Sequence, residues 1–176
     1  MPLSIDELRR KVEEYHNKGL NSQQIADELS LSQTTIQWLS SSNVPMDEET
    51  PSDIRVGWRS VAVKAARVEA VSYVFCDIIE EEIGEEVDTM VGISINGIPF
   101  AQAIAGQIDL ELAVSRTISE SEAGHLSEVF ANVSGKRVVV IDDVVSSGTT
   151  MRKTVQHLRE SGAEVKLCLV LANKTE

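Results

Sequence analysis

The run from Lys136 to Met151 reads Lys-Arg-Val-Val-Val-Ile-Asp-Asp-Val-Val-Ser-Ser-Gly-Thr-Thr-Met, and it sets two adjacent carboxylates just ahead of a turn of small hydroxyl side chains. Ser146, Ser147, Gly148, Thr149 and Thr150 are small enough for successive backbone N–H groups to converge on one point. A helix beginning near Thr149 would aim its positive end at the same point, which makes the turn a cradle for a phosphate group. Asp142 and Asp143 suit a different portion of a ligand. Like charges repel, so beside a phosphate nest they fit the hydroxyls of a sugar or a Mg²⁺-bound diol. Together these residues describe a site for a ribose 5-phosphate group.

Those side chains need a scaffold, and the flanking sequence supplies one. Val138 to Ile141 is a short β-branched run of the kind that forms a strand buried on both faces. Asp142 and Asp143 are then expected where this strand ends, at the carboxyl edge where open α/β sheets bind ligands. Further strands are predicted over Asp88–Ser94, Leu110–Ser115 and Val165–Leu171, with helices over Pro99–Gln107 and Thr150–Ser161. A long amphipathic helix is predicted from Val61 to Glu82. Alternating strands and helices imply a parallel sheet with right-handed crossovers. The turn from Ser94 to Gly97 then falls at the same sheet edge as Asp142. Residues 116–135 are polar and without period, which predicts a mobile flap over that edge.

The amino-terminal segment has a different character. Ser4 and Glu7 form a capping box, and Ile5, Leu8, Val12 and Tyr15 recur at helical spacing up to Gly19. Ser22 is expected to cap a second short helix burying Ile25, Ala26 and Leu29, and Ser32 a third burying Ile36 and Leu39. Ser30-Leu31-Ser32 turns the chain between them, with Ala26 small enough to let the two backbones cross. Ser40 to Ser52, rich in serine, acid and proline, reads as a flexible acidic linker.

With 176 residues, 42% of them hydrophobic, the chain can bury one good α/β core and carry a small extra module. A net charge of −12 excludes nonspecific affinity for nucleic acid or anionic membranes, while leaving room for specific DNA binding by one face. Cys76 and Cys168 lie in apolar runs without metal-ligand spacing, and buried free thiols are expected. With no secretory apolar segment and no long uncharged apolar run, a cytoplasmic protein without membrane partners is expected.

The acidic pair followed by Val-Val-Ser-Ser-Gly-Thr-Thr resembles the phosphoribosyl-pyrophosphate (PRPP) signature of type I phosphoribosyltransferases, unbroken over Val138 to Thr150. Gly97-Ile98-Pro99 resembles the corresponding segment of the orotate enzymes. The resemblance implies that Asp142, Asp143, Val144, Val145, Ser146, Ser147, Gly148, Thr149 and Thr150 hold the ribose phosphate. It further implies that Ile95, Asn96 and Gly97 hold pyrophosphate through backbone N–H groups, with Arg116 opening the flap. Mg²⁺ would enter with PRPP, meeting Asp142 and Asp143 only indirectly. Where the orotate enzymes often carry a lysine before that glycine, this chain has Asn96. Where their flap continues with lysines, Arg116 is followed by Thr117-Ile118-Ser119-Glu120-Ser121-Glu122. Negative charge builds on departing pyrophosphate, and losing one favourable donor commonly costs about 10²- to 10³-fold in rate. No catalytic residue is therefore expected; in an active enzyme Asp142, Asp143 and Arg116 would carry the reaction.

Residues 22–41 resemble the helix-turn-helix of bacterial and archaeal repressors, with Ser30 in place of the usual turn glycine, which asks for a left-handed or slightly altered turn. On that resemblance Ser32, Gln33, Thr34, Thr35 and Gln37 are the DNA-binding candidates. Gln can bond adenine bidentately and Thr can touch a thymine methyl, while Ser32, Thr34 and nearby Lys18 could hold phosphates.

The whole arrangement resembles the archaeal orotate phosphoribosyltransferase-like regulators of GfcR type. The fold class implied is α/β, a type I phosphoribosyltransferase fold with a parallel sheet flanked by helices, plus a small all-α helix-turn-helix domain. Residues 1–43 would bind DNA, 44–51 link, and 52–176 bind ligand. The implied function is a homodimeric regulator of a double-stranded DNA operator, with PRPP or a related sugar phosphate or nucleotide as effector. An active orotate or purine phosphoribosyltransferase with an accessory module is the alternative.

Overall fold

The computed structural model describes residues 3–41, 56–116 and 125–174. The chain divides into two compact units, Met1–Gly57 and Trp58–Glu176. The expected linker, 44–51, and Glu120 and Glu122 of the expected flap lie outside the described residues.

In the first unit α1 (Ile5–Asn17), α2 (Ser22–Leu29) and α3 (Gln33–Ser40) enclose a core of Val12, Ile25, Ala26, Leu29, Ile36 and Leu39. The Ser4–Glu7 capping box forms as expected. At α2 the cap falls one residue earlier than expected: Asn21 accepts from the Gln24 N–H at 2.9 Å while the Gln24 side chain accepts from the Asn21 N–H. Asn21 and Gln24 have the spacing of a capping box with Asn in place of Ser, so they satisfy two helix-end donors that Ser22 alone could not. Ser30 adopts the left-handed conformation, φ 53° and ψ 43°, as the missing turn glycine required.

In the second unit a five-stranded sheet has the order β3-β2-β1-β4-β5, with β1 Thr89–Ile93, β2 Glu111–Arg116, β3 His125–Leu126, β4 Arg137–Val145 and β5 Glu164–Asn173. All five residues of β1 are buried. Along β4 the side chains alternate between two cores, as a pleated strand requires. Val139 and Ile141 join Met90, Phe75, Ile79, Phe100 and Ile104 on the face covered by α5 (Ala65–Ile83) and α6 (Gly97–Gln107). Val138 and Val140 join Val91, Ile93, Val133 and Leu158 on the face covered by α7 (Thr149–Glu160). Trp58 closes the first core, its ring 5.0 Å from Phe100.

Several elements differ from what the sequence predicts. The sheet is not wholly parallel, because β3 pairs antiparallel with β2, Ser115 opposite Leu126 and Arg116 opposite His125. Two residues show no period, so this strand is invisible in the sequence. The expected flap is thereby shortened: Ser127 and Val133 are buried, and Ala131 N–H donates to the Leu112 carbonyl at 2.9 Å. The expected Val61–Glu82 helix is two helices, α4 (Arg59–Ala62) and α5, separated at Lys64, which is extended. Of the two thiols expected to be buried, Cys76 is half-buried and Cys168 exposed, and both are free.

Candidate functional site

β4 does not stop at the acidic pair. Asp142 is opposite Val170 and Val144 opposite Ala172, so the strand runs on to Val145 and the carboxylates stand on it, not in the turn after it. A strand position fixes their direction more firmly than a loop would. Asp142 is half-buried, and its Oδ1 accepts from the Asp143 N–H at 2.9 Å. Asp143 is 9% exposed, and its Oδ1 accepts from the Val144 N–H at 2.8 Å. Burial pushes the Asp143 carboxyl above the usual carboxylate range, against the pull of hydrogen bonds from Val144 and Asn96.

Past Val145 the chain folds into a tight turn. Gly148 takes φ 71° and ψ 4° and, lacking a side chain, offers no cap to α7, so the N–H groups of the first turn beyond Thr149 point toward a site for an anion. Ser147 Oγ donates to Thr149 Oγ1 at 3.0 Å and accepts from the Thr149 N–H at 3.3 Å. Arg152, one helical turn further on, donates from Nη2 to the Ser147 carbonyl at 2.8 Å. A Cβ added at Gly148 would stand 2.9 Å from Arg152 Nη1. Arg152 therefore puts a guanidinium beside the turn, a role sequence reasoning missed. Its signal was a cation four residues after the glycine.

The turn that leads into α6 is pressed against β4. Gly97 opens α6, and a Cβ there would overlap the Ile141 carbonyl oxygen and stand 3.2 Å from Asp142 Cα. Gly92 makes a similar approach possible on the neighbouring β1, where a Cβ would lie 2.8 Å from Ile98 Cα. This close approach puts Asn96 within reach of the acidic pair: its Nδ2 donates to Asp143 Oδ2 at 2.9 Å. The Ser94–Ile95 peptide bond is cis, and Ile95 is 66% exposed. The structure thus brings together Asn96, Gly97, Asp142 and Asp143 on adjoining strand ends, with residues 146–150 following directly. Arg116 is exposed at the carboxyl end of β2, two strand spacings from β4, or about 10 Å.

In the first unit the DNA-binding candidates separate into two groups. Thr34 and Gln37 are exposed on α3 and Gln33 is half-buried. Thr35, a DNA-binding candidate on the sequence, is only 7% exposed and so turned away from a groove. Its Oγ1 lies 2.8 Å from Ser32 Oγ, and its N–H donates to the same oxygen at 3.1 Å. Ser32 and Thr35 are thus the cap and first-turn lock of α3, because residue 35 shares the inward face with Ile36 and Leu39. Trp38 is half-buried with the Arg9 guanidinium carbon 5.4 Å from its ring centroid, a packing role. Lys18 is held by Glu14 at 2.6 Å.

Residues 59–176 match the phosphoribosyl transferase domain family. The chain is 42% identical over 174 residues to the transcriptional regulator GfcR of Thermoplasma acidophilum, covering 97% of this chain and 87% of that protein. It is 38% identical to the transcriptional regulator GfcR of Picrophilus torridus, covering 97% and 89%. The crystal structure of orotate phosphoribosyltransferase from Aeropyrum pernix has the same fold, with a TM-score of 0.53 and 23% identity over 74% of this chain and 72% of that one. The second unit therefore has the type I phosphoribosyltransferase fold, and the chain belongs to the family of GfcR transcriptional regulators.

Proposed function

We propose that this protein is a homodimeric regulator that binds a double-stranded DNA operator through its first unit and PRPP, or a related phosphorylated sugar or nucleotide, through its second, with little or no turnover. The observation that carries the ligand half is the turn at Gly148, whose left-handed backbone opens α7 a few residues after Asp142 and Asp143. The turn N–H groups, Arg152 and the helix end take the 5-phosphate, and the acidic strand end takes sugar hydroxyls. Mg²⁺ enters with the ligand. Asp142 and Asp143 would meet it only indirectly, through the ligand.

On the DNA side Gln33, Thr34 and Gln37 of α3 read base edges in the major groove. Arg9, fixed over Trp38 beside them, supplies a phosphate contact. The relatives' names support the regulatory half, and no helix among the described residues is long and apolar enough to cross a membrane.

Calorimetry with PRPP and Mg²⁺, followed by a pyrophosphate-release assay with orotate and purines, tests the proposal. Saturable binding without release is the expected result; robust release would identify a working transferase instead. Retardation of genomic fragments with and without PRPP tests the regulatory coupling, which requires the ligand to favour one arrangement of the DNA-binding units.

A further inference from the structure

Asn96 precedes α6 at the position where an asparagine side chain ordinarily bonds the helix's own first N–H groups. It makes no such bond here. Its amide instead reaches Asp143, 47 positions along the chain, at 2.9 Å. Asp143 is 9% exposed, and its other oxygen accepts from Val144 N–H. Both carboxylate oxygens of Asp143 are therefore engaged inside the protein, one on β4 itself and one on the turn before α6. Gly97 and Gly92 are the residues whose missing side chains let this turn come so close.

We infer that Asn96 is a positioning residue: its side chain latches the 94–97 turn to the acidic strand end, and so sets affinity for the group carried at C1 of the sugar without touching the ligand. This rests on the function proposed above. A ligand with only a 5-phosphate and hydroxyls is held by residues 146–150 and the strand end, whereas a ligand with an anionic group at C1 also needs the backbone N–H groups of the turn. Releasing the latch leaves residues 146–150 in place and Asp143 still held on β4 by the Val144 N–H, and lets the 94–97 turn drift. The two ligand classes should therefore respond differently to one substitution.

The test compares PRPP with Mg²⁺ against ribose 5-phosphate, by calorimetry on the full chain and on Asn96→Ala, with a thermal melt to show that the variant is folded. The expected result is a loss of about tenfold in PRPP affinity, the equivalent of one hydrogen bond's positioning, with ribose 5-phosphate affinity within about twofold of the parent. Asn96→Ser, which keeps a polar but shorter side chain, serves if the alanine variant does not fold, with the same contrast expected. Equal losses for both ligands, or no loss for either, would overturn the latch. Failure of the parent protein to bind either ligand would instead overturn the proposed function itself, and the two failures are distinguishable because the second needs no variant.

Discussion

Gly97 and Gly106 both lie in α6, and the same substitution at the two positions should act in opposite directions. At Gly97 an added methyl would overlap the Ile141 carbonyl oxygen and approach Asp142 Cα at 3.2 Å, both backbone atoms that cannot swing aside. Overpacking of this kind costs about 1–3 kcal/mol, partly offset by up to about 1 kcal/mol of helix propensity. A net loss of about 1–2 kcal/mol is expected for Gly97→Ala. At Gly106 nothing lies within 4 Å and the residue is exposed, so Gly106→Ala should be neutral or stabilise by up to about 1 kcal/mol. Urea unfolding followed through Trp58, whose ring sits 5.0 Å from Phe100 of α6, measures both. With a slope of about 2 kcal/mol per molar urea, the Gly97 variant's midpoint falls by about 0.5–1 M. Binding should weaken as well, because moving the turn also separates Asn96 from Asp143. A Gly97→Ala protein with an unchanged midpoint and unchanged affinity for PRPP would refute the claim that this glycine sets the approach of its turn to β4.

Other perturbations probe the remaining features. Ser32→Ala removes the cap of α3, and loses about 1 kcal/mol by thermal melt along with some of the operator affinity. Gln37→Ala should leave the melt unchanged and relax preference at one base pair in a competition assay, whereas Arg9→Gln should weaken all sequences alike and flatten the salt dependence of binding. At the opposite end of the sheet, Arg137 bonds Asp88 through Nε at 3.0 Å and Nη2 at 2.7 Å, and holds its carboxyl well below the usual carboxylate range. A depressed pKa gives stability that is complete above the ordinary carboxylate value and is lost as pH falls toward the folded one. The melting-temperature advantage of the parent over Asp88→Asn should therefore be flat near neutrality and shrink below about pH 4.

Features set by local chemistry were the ones legible in the sequence. The Ser4–Glu7 box, the Ser32 cap and the left-handed turn at Ser30 need only neighbouring residues, and β1 and the centre of β4 are apolar enough to declare themselves. What escaped depends on partners distant in the chain. Asp142 and Asp143 looked like the end of a strand because they are charged, yet β5 supplies ladder partners through Val145. Thr35 looked like a groove-facing hydroxyl, yet the helix phase set by Ile36 and Leu39 turns it inward onto Ser32. The contact between Asn96 and Asp143 joins segments 47 residues apart and follows from two absent side chains, Gly92 and Gly97, whose effect is seen only when α6 is in place.

The antiparallel pairing of β3 with the end of β2 puts Arg116 and His125 directly opposite one another. Facing residues in such a ladder stand only about 5 Å apart, so whatever chain lies between them begins and ends at a single doorway. Evolution can lengthen or shorten that excursion without moving any strand, since each doubling of a flexible closed segment costs only about 0.6 kcal/mol. A change of length between Arg116 and His125 therefore leaves the register of the sheet untouched.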